Sequence, residues 1–325
     1  MIALLAPGQG AQSPGMLVPW LELHGAQERV AVWSEATGLD LWRLGTTAGA
    51  EEIKDTAVTQ PLVVALSLLV AEELARRVDL PTEAPIAGHS VGELTAAAVA
   101  GVLTAEEAVA LAAVRGQEMA AACSLAPTGM SAVLGGDTDD VMAVLAELGL
   151  EAANYNGAGQ IVVAGRLDAL ATLAAHKPAR TRVLPLAVAG AFHTRFMAPA
   201  ERTLALYATA LTGKNPARPL LSNADGEVVD DGTEMLRRLV AQVTRPVRWE
   251  YCMATLGALA VTATIELPPA GTLTGVVKRE MKGTAALALK TPEDLDKVAG
   301  LIRDQSEMAH CGAAHSGADR SEKLA

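Results

Sequence analysis

The chain has 325 residues and a formal net charge of −11, with 50% hydrophobic, 19% charged and only 3% aromatic residues. That length supports a sizeable core, in one large domain with an insertion or in two smaller ones, and the low charge with a positive mean hydropathy excludes a disordered chain. The acidic balance speaks against nucleic acid as a partner, because a phosphate backbone is held by clustered Lys and Arg.

Three cysteines, Cys123, Cys252 and Cys311, show no C-x-x-C spacing. They point to a reducing, cytoplasmic setting with neither a disulfide framework nor a zinc site. Met1 to Ala6 is apolar but lacks a basic leader and stops at Pro7-Gly8, so it does not read as a signal peptide. No uncharged run reaches the ~18 residues of a membrane span.

In chain order, Ile2-Ala3-Leu4-Leu5-Ala6 reads as a short buried strand. It is ended by the glycine-bearing turn Pro7-Gly8-Gln9-Gly10-Ala11-Gln12, which is either a plain turn or a place where backbone N–H groups approach a ligand. Glu22 to Glu52 reads as helical in pieces. Gln60-Pro61 opens a run to Arg77 that is apolar almost all round, which predicts a buried helix with proline at its first position.

Gly88-His89-Ser90-Val91-Gly92 follows, with Pro85-Ile86-Ala87 before it and an alanine-rich run after it. A G-x-S-x-G stretch between a strand and a helix predicts a nucleophile elbow. Its glycines permit the sharp turn, and the helix start aims N–H groups and a positive dipole end at the serine. Thr104-Ala105-Glu106-Glu107 is a capping box before a helix from about Ala105 to Ala122. The basic residue of that helix, Arg115, is either a snorkelling surface side chain or a functional group.

From Pro127-Thr128-Gly129 the texture changes. Met130–Gly135, Leu150–Asn154, Gln160–Gly165 and Thr181–Val188 read as strands, and Asp137–Leu148 and Arg166–His176 as helices. This β-α-β-β-α-β order predicts a ferredoxin-like subdomain inserted over 127–192. Strand-helix alternation then resumes with Ala198–Leu211, Pro219–Ser222, Thr233–Gln242 and Thr262–Leu267. The predicted architecture is α/β: a large hydrolase-like domain with a parallel sheet (1–126 and 193–302) and the insert. Residues 303–325 read as a disordered tail, in which His310, Cys311 and His315 lack a fourth metal ligand. No metal site is expected.

A serine hydroxyl attacks a carbonyl only when a base takes its proton. Of six histidines, His89 adjoins the serine, where neighbouring side chains at an elbow diverge. His24 and His176 lie in polar helical surroundings, and His310 and His315 lie in the tail. His193 remains, at the junction between insert and large domain, where a cleft is expected.

These stretches together resemble the malonyl-CoA:acyl carrier protein transacylases. The likeness covers residues 1 to about 290 and rests on the 7–12 turn, Gly88 to Glu93, Arg115-Gly116-Gln117-Glu118-Met119, Asn154 to Gln160, Ala191-Phe192-His193, and Gln242-Val243-Thr244-Arg245-Pro246-Val247-Arg248-Trp249. The resemblance implies that Ser90 carries a malonyl ester and that His193 is its base, oriented by the backbone carbonyl of Gln242. It implies an oxyanion hole from the N–H groups of Val91 and Gln9, a carboxylate clamp at Arg115, and an acyl pocket lined by Met119, Asn156 and Phe192.

Two departures bear on the pantetheine-side wall. Leu267-Pro268-Pro269-Ala270-Gly271 stands where the family commonly has glycine-proline-glycine, and Ala158 stands where proline is frequent. The implied substrates are malonyl-CoA and a holo acyl carrier protein, with no permanently bound cofactor, no membrane and a monomeric enzyme. The alternative is a serine hydrolase or editing thioesterase using the same Ser90 and His193. Because CoA and carrier proteins are acidic, a local basic patch is expected at the cleft mouth, drawn from Arg195, Arg245, Arg248, Lys278, Arg279 and Lys282.

Overall fold

The computed structural model of the chain describes residues 1–304, so the predicted tail, with His310, Cys311 and His315, falls almost wholly outside the described residues. The strand Ile2–Ala6 (β1) is buried at every position, as expected of a strand covered on both faces. It lies at the centre of a parallel sheet. On one side are Ile86–Gly88 (β2) and, further out, Leu220–Leu221 (β7); on the other are Ala263–Glu266 (β9) and Ala285–Ala288 (β10). All four pairings are parallel, so the carboxyl ends of β1, β2, β7 and β9 open on one edge. Clefts in such sheets form at that edge, and the 7–12 turn, the elbow and Asn223 all follow it directly.

The second sheet contains Thr128–Gly135 (β3), Glu151–Gly157 (β4), Gln160–Arg166 (β5) and Thr181–Pro185 (β6). Its order β6-β3-β5-β4 with antiparallel neighbours fits the split β-α-β arrangement expected of the insert. One feature was not foreseen. Val247–Arg248 (β8), from the large domain, pairs parallel with β4 through Asn154↔Val247 and Tyr155↔Arg248. That pairing ties the segment after Gln242 to the strand that carries Asn156.

The elbow depends on close backbone approach. A Cβ on Gly88 would lie 2.1 Å from the Gly92 carbonyl carbon, and one on Gly92 would lie 2.3 Å from the Ala6 carbonyl oxygen. Both glycines are therefore required for the turn to seat on β1. The helix Gly92–Val99 follows, with Ser90 in the left-handed region at φ 54°.

Behind the elbow runs the helix Thr56–Arg77, one turn longer at its start than the sequence predicts. Asp55 caps it by accepting from the Ala57 N–H, so Pro61 lies inside the helix and not at its first position. The capping residue outcompeted proline as the start signal. By length and composition this helix could cross a membrane, but 83% of its most apolar stretch is buried inside the protein, as in a core helix. It packs against Ala105–Cys123, whose capping box at Thr104 and Glu107 is formed as predicted. Gly116 lets the two helices touch: a Cβ there would be 2.6 Å from the Thr56 carbonyl oxygen. This contact brings Arg115 beside Gln60.

Candidate active site

Ser90 and His193 come from distant parts of the chain and meet at the sheet edge, Oγ to Nε2 at 2.7 Å. The other ring nitrogen, Nδ1, lies 2.9 Å from the Gln242 carbonyl oxygen. A carbonyl can only accept, so Nδ1 carries the proton and Nε2 presents a lone pair to the serine hydroxyl. No carboxylate is needed for that tautomer. His193 is 4% exposed and itself has φ 59°. Burial, and then the nearby Arg115 charge, push its pKa down to about 3, so the ring is neutral at working pH.

Arg115 is not a snorkelling surface side chain. It is 2% exposed, and its guanidinium lies behind the serine. Nη1 donates to Gln60 Oε1 at 2.6 Å, and Nη2 donates to Gln242 Oε1 at 2.8 Å and Ser90 Oγ at 3.3 Å. Burial lowers its pKa to about 10, which leaves it cationic near neutrality. Among the described residues it makes no ion pair, so a desolvated charge faces the serine with only amide and hydroxyl partners.

The Gln242 side chain is the crossing point. Its Nε2 donates to the Ser90 carbonyl at 3.0 Å and to Glu93 Oε2, while its backbone oxygen holds His193. Asn223 braces the elbow: its Oδ1 accepts from Ser90 N at 2.8 Å, and its Nδ2 donates to the Gly88 carbonyl at 2.7 Å. Among the described residues the backbone N–H groups of Gln9 and Val91 have no acceptor within the protein. They are free to meet an incoming oxygen.

A cleft of about 440 Å³ opens over Ser90, between the two sheets. Gln9, Asn156, Phe192 and His193 line it, together with His89, Trp249 and Leu273. His89 is half-buried, and its Nε2 lies 2.9 Å from Asn156 Oδ1, which links the elbow to the insert. Desolvation lowers the pKa of that imidazole as well. Met119 does not reach the cleft wall. Its sulfur lies behind it, 3.5 Å from Gln60 Nε2.

The wall formed by the 157–159 hairpin differs from a proline-bearing turn for a clear reason. Ala158 has φ 49° and donates its N–H to Glu280, neither of which proline allows. The basic candidates separate as well. Arg195 pairs with Glu151, and Arg248 pairs with Glu250 at 2.7 Å while lying between the rings of Tyr155 and Tyr251. Arg245, Lys278, Arg279 and Lys282 are exposed and have no ion-pair partner among the described residues. Lys282 lies beyond the end of the helix Thr272–Glu280, not on it, because Met281 already caps that helix.

Three residues of the site carried no role in the sequence reading: Gln60, Glu93 and Asn223. Each left a faint signal. Gln60 is a polar residue in a helix apolar almost all round, Glu93 is an acid at the start of an alanine-rich helix, and Asn223 follows the end of a sheet strand. Among the described residues there is no group of three or more His, Cys, Asp or Glu that could hold a metal ion.

Comparison with known proteins gives the family. Residues 4–321 match the family described as acyl transferase domain. The chain is 57% identical over 302 residues to the malonyl CoA-acyl carrier protein transacylase of Mycobacterium bovis, covering 93% of this chain and 100% of that protein. It is 56% identical over 285 residues to the protein of that name from Mycolicibacterium smegmatis, with 86% and 98% covered. The crystal structure of MCAT from Mycobacterium tuberculosis superposes with a TM-score of 0.89 at 56% identity, over 92% of this chain and 99% of that one. A type II PKS acyl-carrier protein in complex with its malonyl-transacylase matches at TM-score 0.85 and 28% identity, over 92% and 99%. This chain therefore belongs to the acyl transferase family and groups with its malonyl CoA-acyl carrier protein transacylases.

Proposed function

We propose that this protein moves a malonyl group from malonyl-CoA to the phosphopantetheine thiol of an acyl carrier protein, through an ester on Ser90. The observation that carries this reading is the buried, ion-pair-free Arg115 guanidinium 3.3 Å from the hydroxyl that His193 activates. Ser90 Oγ gives its proton to His193 Nε2 and attacks the thioester carbon. The N–H groups of Val91 and Gln9 hold the developing oxyanion, an interaction whose loss typically slows such steps ~10²–10³-fold.

His193 then returns the proton to the CoA sulfur as the C–S bond breaks, leaving malonyl-Ser90. In the second half the carrier thiol gives its proton to His193, attacks the ester, and Ser90 leaves with that proton. Arg115 pairs with the free carboxylate of the malonyl group, which removes one of the causes that depress the His193 pKa. The substrate's own charge thus raises the basicity of the catalytic base. Asn156 and Phe192 shape the acyl side of the cleft, and Met119 supports Arg115 from behind through Gln60.

Residues 1–126 and 193–302 make up the catalytic body in this reading, and 127–192 the insert that closes the cleft. The enzyme acts as a cytoplasmic monomer without a permanently bound cofactor. Arg245, Lys278, Arg279 and Lys282 attract the acidic carrier. Hydrolysis by the same Ser90–His193 pair would release the acyl group to water, whereas the relatives at 56–57% identity are named as transacylases.

The test is intact mass after treatment with malonyl-CoA. A malonyl adduct should appear on the peptide containing Ser90, vanish in Ser90→Ala, and transfer to a purified holo carrier protein. An adduct on another residue, or loss of the adduct to water without transfer, overturns the reading.

A further inference from the structure

We infer that Glu93 is a positioning residue whose charge state, passed through the side-chain amide of Gln242, sets how firmly Arg115 holds a carboxylated acyl group. This deepens the proposed function and rests on its assignment of Arg115 to the malonyl carboxylate. Glu93 stands in the first turn of the elbow helix and is 1% exposed. Its Oε1 accepts from the Asn223 backbone N–H at 2.5 Å, and its Oε2 accepts from Gln242 Nε2. At the other end of the same amide, Gln242 Oε1 accepts from Arg115 Nη2 at 2.8 Å. One primary amide therefore separates the buried carboxyl from the buried guanidinium, with its dipole aligned between them.

The consequence is electrostatic. An ionised Glu93 neutralises part of the Arg115 charge across the amide and so competes with a substrate carboxylate for the guanidinium. A protonated Glu93 leaves Arg115 without an internal counter-charge, and the substrate supplies the only one. At low local dielectric the two situations differ strongly.

The other groups facing Glu93 are few. Arg238, from the helix Gly232–Ala241, attracts its charge, but that side chain is itself paired with Asp225 and Glu234. Cys252, from Trp249–Ala258, is buried and kept as a thiol, Glu93 being one cause. Arg237 and Arg245 reach a second pocket of about 280 Å³, away from the cleft, whose wall includes Glu93 and Gln242. That pocket gives the carboxyl a path for proton exchange with solvent that avoids the acyl site.

Burial raises the Glu93 pKa to about 8, with the Asn223 N–H, the Gln242 amide, Arg115 and Arg238 pulling it back. A carboxylate arriving on Arg115 adds negative charge nearby and pushes the carboxyl further toward its acid form. The malonyl-bound state therefore holds more protons than the free enzyme. Its binding is strongest below the free-enzyme pKa and weakens as pH rises through about 8.

The experiment is the KM for malonyl-CoA between about pH 7 and 9.5. It should rise toward tenfold per pH unit above the Glu93 transition while kcat changes little, and Glu93→Gln should give a pH-independent KM. Should Glu93→Gln fail to fold, the wild type alone decides the matter. Stoichiometric malonylation at the Glu93 pKa in weak buffer should take up about half a proton per site, after correction for the freed CoA thiol. A flat wild-type KM, or no proton uptake, overturns the inference. The underlying assignment fails differently: malonyl-CoA and acetyl-CoA would then acylate equally fast at every pH. If malonyl is preferred by a factor that does not vary with pH, Arg115 stands and Glu93 does not.

Discussion

Ser90 and His193 meet at 2.7 Å, and both are held in the left-handed backbone region, at φ 54° and 59°. Two non-glycine residues in that region are maintained only where surrounding bonds over-determine them. For Ser90 those bonds are the Asn223 side chain on its N–H and Gln242 on its carbonyl; for His193 the Gln242 carbonyl holds the ring. Gln242 therefore fixes both partners of the proton transfer at once.

The first expectation concerns pH. His193 is buried next to Arg115, and both effects depress its pKa to about 3, so the base stays neutral far below the usual imidazole range. The kcat/KM for acylation should be flat between about pH 5 and 7, with no acid limb near 6.5. Removing the Arg115 charge takes away a cause of the depression, so in Arg115→Gln any acid limb should move upward. A wild-type limb centred at the ordinary histidine value contradicts this electrostatic picture.

In the proposed reading Arg115 also governs choice of substrate. Its buried charge is matched by malonyl and left unmatched by acetyl, and an unpaired buried charge costs several kcal/mol. Arg115→Ala should lower malonyl transfer by roughly 10²-fold or more and narrow the malonyl-to-acetyl ratio. Rates for the two acyl-CoAs in wild type and variant provide the check. Equal rates in the wild type would remove the clamp.

Phe192 lines the cleft immediately before the catalytic histidine and is 7% exposed. In the proposed reading its ring would crowd a substituent on the α-carbon of a bound acyl group. Phe192→Ser should raise methylmalonyl use relative to malonyl by about tenfold, at a stability cost of ~3 kcal/mol typical of emptying an aromatic site. An unchanged ratio in a folded variant assigns the ring to packing at the junction.

Among the basic candidates the ion pairs decide the outcome. Arg195 and Arg248 are neutralised by Glu151 and Glu250, whereas Lys278 and Arg279 are exposed at the end of their helix without such partners among the described residues. Lys278→Glu with Arg279→Glu should raise KM for the carrier protein several-fold with little change in kcat, and added salt should shrink the effect. The same reversal of Arg195 should do less. Normal carrier kinetics in the double variant at low salt place the docking surface elsewhere.

The sequence by itself determined the local and covalent-order facts. Glycines at 88 and 92 around Ser90, between an apolar strand and an alanine-rich run, permit one kind of turn, since any Cβ there would strike backbone. The Thr104–Glu107 capping box fixed a helix start, and period-2 and period-3.6 runs gave the insert its β-α-β-β-α-β order. Elimination singled out His193 because a base needs a scaffold. Pro61 misled for the same reason that such signals are local: Asp55 offers its own cap one turn earlier.

What only the tertiary structure decided are the relationships between charges and amides far apart in the chain. Arg115, Gln60, Gln242, Glu93 and Asn223 come from separate elements, and nothing in their spacing states that they share one hydrogen-bonded network. The pairing of β8 with β4, and the neutralisation of Arg195 and Arg248 by nearby acids, are likewise invisible in sequence. Periodicity reports which face of an element is buried, because burial repeats with the backbone. It does not report what a buried polar group meets there, because that partner is supplied by another element at a distance the chain does not encode locally.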